Sequence, residues 1–168
     1  MTAHLVFELL FGLACLLVFC FGVVLVRGAP FLPTLKPQVD AALDMLDLQK
    51  GQTLLELGCG DGRVLIAAAM RGWKAVGYEL NPIMAFIAWA RTRPYRTQVK
   101  VIWGDYWTAD WPKADAIFAF LLTRYMRILD KKIVQYPHKP ILLASFAFPI
   151  PNRSPKTEKS GVFLYEYK

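Results

Sequence analysis

The run Glu56-Leu57-Gly58-Cys59-Gly60-Asp61-Gly62 joins an acid to three alternating glycines. Glycines let the main chain turn sharply and let a ligand approach it closely. A helix opening directly after the run would turn unpaired N–H groups toward a carboxylate or phosphate. A second acid, Glu79, stands seventeen residues beyond Gly62, where folds of this kind set a carboxylate on a ribose diol. A third group follows at Gly104-Asp105-Tyr106-Trp107. Asp105 would accept from the exocyclic amine of an adenine, and Trp107 would stack on its ring, although a tryptophan there serves plain packing as often. A glycine loop alone fits a bare turn about equally well. Glu79 at a strand end, followed by Asn81-Pro82, tips the balance toward a nucleoside ligand.

The spacing also selects among nucleosides. A dinucleotide fingerprint calls for glycine at position 63, which is Arg63. An acid two residues before Gly58, with G-x-G-x-G spacing, suits S-adenosylmethionine. That ligand has no pyrophosphate, so the loop need only accommodate its methionine and ribose parts.

These residues need a scaffold, and the pattern supplies one. Val39, Ala42, Leu43 and Leu46 recur at helical spacing. Thr53–Leu57 is a short apolar strand, followed by the glycine turn and a helix from about Arg63 to Arg71. Ala75–Leu80 is a second strand, Asn81-Pro82 caps a helix ending near Arg93, and Gln98–Trp103 alternates as a third strand. Ala114–Leu121 is a continuous apolar run, as for a strand buried on both faces. Thr123–Gln135 is helical, and Ile141–Phe146 and Gly161–Tyr167 make six strands in all. Pro149–Ser160 is expected as a polar loop. Alternating strands and helices imply a parallel sheet with helices on both faces.

The N-terminal part differs in kind. Leu9–Val26 contains no charged residue, and extending back to Leu5 admits only Glu8. The resulting helix would be roughly 33 Å long, enough to cross a hydrocarbon core. No basic residue precedes it, whereas Arg27 and Lys36 follow, so the remainder is expected on the cytoplasmic side. A cleaved signal peptide is disfavoured by the long apolar run and the lack of an N-terminal base. The whole chain of 168 residues carries a net charge of +7. Residues 1–26 hold one acid and no base, so the rest carries +8, a balance suited to an anionic leaflet. Three cysteines exclude a disulfide scaffold. The expected organisation is an anchor over 1–27, a proline-rich connector and first helix over 28–50, and a cofactor-binding domain over 51–168.

With these residues the chain resembles the class I S-adenosylmethionine-dependent methyltransferases. The glycine run, Gly77-Tyr78-Glu79-Leu80-Asn81-Pro82, Pro30-Phe31-Leu32-Pro33-Thr34 and Phe146-Ala147-Phe148-Pro149-Ile150-Pro151 are similar to the membrane-anchored protein-lysine methyltransferases that act on the ATP synthase c-subunit and the adenine nucleotide translocase. The resemblance implies an α/β, Rossmann-like class I methyltransferase sheet with flanking helices, C-terminally shortened and preceded by one transmembrane helix. It implies S-adenosyl-L-methionine as cofactor. Glu56, Gly58, Cys59 and Gly60 would line its methionine side, with Thr34 near the carboxylate, Glu79 on the ribose, and Asp105 and Tyr106 on the adenine. The fourth strand ends Ala119-Phe120-Leu121-Leu122, without the Asn/Asp-Pro-Pro-Tyr/Phe of enzymes that methylate nucleobases and glutamine, which weighs against nucleic acid.

No residue declares itself as a catalytic base. Tyr125 is a candidate, and a packed tyrosine is the plainer reading. Arg124, Arg127 and Lys131 share one helix face, a solvated surface before it is a membrane contact. With only His4 and His138 in the chain, a histidine-based metal site is not expected. The activity expected is protein-lysine N-methylation of a substrate at the membrane, in a single-pass protein of a prokaryotic plasma membrane or, less favoured, a mitochondrial inner membrane. The alternatives are methylation of a lipid or small molecule, and a non-catalytic S-adenosylmethionine-binding role.

Overall fold

The computed structural model describes residues 2–27 and 32–168, with only part of the side chains of the first helix. That helix, α1 (Thr2–Arg27), is 26 residues long. Among the described residues, no helix is long and apolar enough to cross a membrane. Pro30 and Phe31 of the expected connector lie outside the described residues, and 32–35 carry no regular structure. α2 (Lys36–Leu46) follows, with Pro37 in its first turn, where the missing N–H costs nothing. Val39, Ala42, Leu43 and Leu46 are buried, as their spacing predicts. The helix ends when Asp47 takes the left-handed conformation.

Next come β1 (Thr53–Leu57), α3 (Arg63–Met70), β2 (Lys74–Glu79), α4 (Pro82–Thr92) and β3 (Val99–Trp103), then β4 (Ala116–Ala119), α5 (Thr123–Gln135), β5 (Ile141–Phe146), β6 (Thr157–Lys159) and β7 (Val162–Tyr167). They form a single sheet in the order β3-β2-β1-β4-β5-β7-β6. Strands β1 to β5 are mutually parallel. β7 runs antiparallel to both β5 and β6.

Two apolar layers sandwich the sheet. On one face α2, α3 and α4 bury Leu43, Val64, Leu65 and Ala88 against Leu54 and Phe118. On the other, α5 and the β3–β4 connection bury Met126, Leu129, Ile133 and Trp111 against Leu55 and Ile117. Because both faces are covered, β1 and β4 read as unbroken apolar runs rather than alternating ones. The strand order reverses between β1 and β4. Ligands of open α/β sheets bind beyond the strand C-termini at such a point.

Within the sheet, the structure departs from the sequence reading in two places. The polar stretch 149–160 contains β6, making seven strands. Thr157, Glu158 and Lys159 are all exposed and pair through the main chain, so no side-chain pattern marks them. The expected fourth strand Ala114–Leu121 is a strand only over Ala116–Ala119, yet Ala114 and Leu121 remain buried. No helix stands between β5 and β7 among the described residues, as the short C-terminal part implies.

β2 touches the glycine turn through Gly77. A Cβ there would lie 2.7 Å from Cys59 Cβ and 2.7 Å from Leu65 Cδ1. Gly77→Ala is therefore expected to lower stability by about 2 kcal/mol through overpacking, measured as the urea midpoint against the parent chain.

Candidate active site

β1 carries Glu56 up to the turn. At Gly58 the chain reverses with φ +83, a conformation costly for any residue with a Cβ. The amides of Gly58 and Cys59 both donate to the Tyr78 carbonyl, at 2.9 and 2.8 Å, tying the turn to β2. Gly62 opens α3 with φ +79. A Cβ at Gly62 would meet Thr92 Cγ2 at 3.1 Å and Ala88 Cβ at 3.3 Å, so α4 can pack this close only on glycine. A Cβ at Gly58, by contrast, would meet nothing within 4 Å among the described residues, leaving its backbone open to a ligand.

Glu79 joins three segments. Its Oε2 accepts from the Gly60 amide at 2.8 Å, and its Oε1 accepts from the Asn81 amide at 2.8 Å. Its own carbonyl accepts from the Gly104 amide at 2.9 Å. Asn81 then caps α4, its Oδ1 accepting from Ile83 N at 2.9 Å and Met84 N at 3.3 Å, as Asn-Pro predicts. Burial raises the Glu79 pKa, and the amides of Asn81, Gly60 and Leu80 pull against that rise. A carboxylate has about four acceptor positions, so two amides leave capacity for a diol.

Glu56 lies beside it, 4 % exposed, with Oε2 lacking a partner among the described residues. Burial pushes its pKa well up; Glu79 and Asp61 add to the rise and Arg63 opposes it. Burial, then the charges of Glu56 and Glu79, likewise hold Cys59 as a neutral thiol. Asp61 is the opposite case. Burial raises it, but Arg63 and Arg91 outweigh burial and hold its pKa below the usual value. Arg63 donates to Asp61 Oδ1 through Nε at 2.9 Å and to Oδ2 through Nη2 at 2.8 Å, and Arg91 also reaches Oδ2. Through Nη1, Arg63 donates to the Thr34 carbonyl at 3.2 Å. The buried Thr34 is thus joined to the turn through Arg63 rather than directly.

Asp105 follows Gly104 at the end of β3, and its Oδ1 accepts from the Trp107 amide at 2.8 Å. Tyr106 is 6 % exposed, its ring packed in the second apolar layer and its hydroxyl pKa pushed well up by burial, with smaller contributions from Asp105, Tyr125 and Glu79. The half-buried Trp107 lies 4.8 Å from that ring and 5.8 Å from Tyr125. Two residues of this network were given no role by the sequence reading: Arg63, which stands in the motif directly after the glycine run, and Arg91, thirty positions from Asp61 and brought to it by the α4 crossover.

Residues 56–157 match the ANTKMT methyltransferase domain. The chain belongs to that family. It is 32% identical over 130 residues to the ATP synthase c-subunit lysine N-methyltransferase of Homo sapiens, covering 75% of this chain and 54% of that protein. It is 28% identical over 135 residues to a protein-lysine N-methyltransferase of Saccharolobus islandicus, covering 78% of this chain and 84% of that one. The crystal structure of an RNA methyltransferase from Salinibacter ruber in complex with S-adenosyl-L-homocysteine superposes with a TM-score of 0.73 at 27% identity, covering 81% of this chain and 92% of that chain. The chain spans about half the length of the ATP synthase c-subunit lysine N-methyltransferases it matches. The ANTKMT match begins at Glu56 and takes in the turn, Glu79 and Asp105, so the residues singled out by spacing lie inside the shared domain.

The ionised Glu56 destabilises the ligand-free fold, because its folded pKa lies above its unfolded one. That penalty is absent below the ordinary carboxylate pKa and grows as pH rises through the raised value. Glu56→Gln is expected to stabilise the ligand-free chain by about 1 kcal/mol at neutral pH and to lose this advantage in acid. Thermal unfolding across pH checks both.

Proposed function

We propose that this member of the ANTKMT family is an S-adenosylmethionine-dependent protein-lysine N-methyltransferase, held at a membrane by α1 and acting on a substrate at that membrane. The observation that carries the reading is the Glu79 carboxylate, buried at the sheet's reversal point and bonded to the amides of Gly60 and Asn81. The residues fit the cofactor on two structural counts. The unpartnered Oε2 of Glu56 suits a cationic group at the methionine end. The open space at Gly58 allows a ligand onto the backbone.

In this reading Glu79 accepts from the ribose hydroxyls and Asp105 from the adenine amine, with Trp107 the accessible ring beside it. Glu56 and the 58–60 turn hold the methionine portion, and the Arg63 link to Thr34 fixes the entry to α2 over it. When bound, the cofactor supplies a methyl group already activated on a sulfonium. The chain has only to place a neutral amine in line with it and keep water out. A lysine of ordinary pKa ~10.4 must first lose a proton. A dry pocket disfavours the ammonium, which the half-buried aromatic edge of Trp107 and Tyr125 would provide.

The anchor rests on the uncharged run Leu9–Val26 in the sequence. The lysine substrate rests on the curated relatives. Membranes from cells lacking the protein, incubated with purified chain and methyl-labelled S-adenosylmethionine, are expected to yield labelled methyl-lysine in the protein fraction. Glu79→Ala and Gly58→Arg are expected to lower that label at least tenfold while the chain stays folded. Label in the lipid or nucleic-acid fraction instead would refute the lysine substrate, and no label with intact cofactor binding would refute the activity.

A further inference from the structure

The outer side of α4 and the edge strand β3 leave large apolar side chains uncovered. Phe86 is 66 % exposed, Trp89 51 % and Trp103 69 %. They belong to one surface. Phe86 and Trp89 stack with ring centroids 5.9 Å apart. Val99 of β3 packs in the same apolar layer as Ala88 of α4, so Trp103, four residues along β3, faces the same side. Trp103 Nε1 donates to the Leu80 carbonyl at 3.2 Å, which seats its ring at the start of α4. Arg93 lies 5.6 Å from the Trp89 ring.

The charge of this surface is one-sided. Residues 80–104 contain four basic residues and no acidic one. Arg91 is engaged by Asp61, Arg93 lies against the Trp89 ring, and Arg96 sits beside it in a turn, its amide donating to the Arg93 carbonyl, whereas Lys100, between Val99 and Val101, points to the other face of β3. Tryptophan and phenylalanine rings flanked by arginine suit the headgroup layer of a bilayer, where the ring has an apolar body and the guanidinium meets lipid phosphate. A second copy of this surface would oppose like charges. We propose that the α4–β3 surface, centred on Phe86, Trp89 and Trp103 and ringed by Arg93 and Arg96, docks onto an anionic lipid bilayer. The surface begins immediately after Glu79 and Asn81, so docking would turn the candidate active site toward the membrane. The proposal deepens the membrane reading of the function and rests on it for the substrate, but the surface itself is independent of α1.

The test uses the full chain labelled with 5-fluorotryptophan, in nanodiscs of phosphatidylcholine and phosphatidylglycerol that carry a gadolinium-chelating headgroup. The chain has five tryptophans, each giving one fluorine resonance assigned by its Trp→Phe variant. Trp89 and Trp103 are expected to broaden several-fold more than the buried Trp73 and Trp111. The excess should fall in discs of phosphatidylcholine alone and in the Arg93→Glu/Arg96→Glu variant, which should still bind S-adenosylhomocysteine. Equal broadening of all five lines, with the chain still in the discs, overturns the docking surface and leaves the anchor standing. Failure to enter the discs at all overturns both. Lines of Trp89 and Trp103 that shift only on adding a lysine-bearing protein substrate, with no bilayer present, would make the surface a protein contact and also overturn the proposal.

Discussion

The Glu79 side chain is the constraint on which the rest depends. It ends β2, receives the Gly60 amide from the glycine turn and the Asn81 amide from the start of α4, and its carbonyl receives Gly104 at the end of β3. Three segments far apart in sequence are held at one corner by one buried residue. Charge-assisted bonds to an ionised carboxylate are each worth about 1.5–3 kcal/mol, which offsets part of the cost of removing Glu79 from water. The geometry works only because Gly58 and Gly62 take left-handed conformations and Gly77 leaves room for Cys59. Glycine spacing, strand order and the buried acid are thus a single arrangement.

Three acids meet in this corner, and the structure treats them differently. Glu79 has amides. Asp61 has Arg63 and Arg91, which hold it ionised. Glu56 has an oxygen with no partner and a pKa raised by burial. A buried unpartnered acceptor is a cost that folded proteins seldom carry without a reason. A cationic ligand would relieve it, which is why Glu56 is where binding and ligand-free stability oppose each other.

The fold was legible wherever a side chain had to be buried on a period. α2, α5 and the Asn81-capped α4 followed from apolar spacing and capping chemistry, and the central strands from unbroken apolar runs. The turn was legible because tight left-handed positions demand glycine, and Glu79 stands at the strand end where the spacing set it. What escaped had no such demand. β6 is a polar edge strand held by main-chain bonds alone. The Asp61–Arg91 pair exists only because the crossover sets the last turn of α4 beside the turn after β1. The resemblance sets Tyr106 on the adenine; its ring is packed in the second apolar layer, beside the half-buried Trp107. Thr34 reaches the turn through a guanidinium that spacing does not reveal.

The most direct test of the central claim is calorimetric titration of S-adenosylhomocysteine into the full chain and into Glu79→Gln at neutral pH. One site per chain is expected, with affinity falling about 10–100-fold in the variant as the charged acceptor to the ribose is lost. Thermal unfolding of the ligand-free variant shows whether it remains folded. Equal affinity in a folded variant, or no binding by the parent chain, would contradict the assignment of Glu79 and the glycine turn as the cofactor cradle.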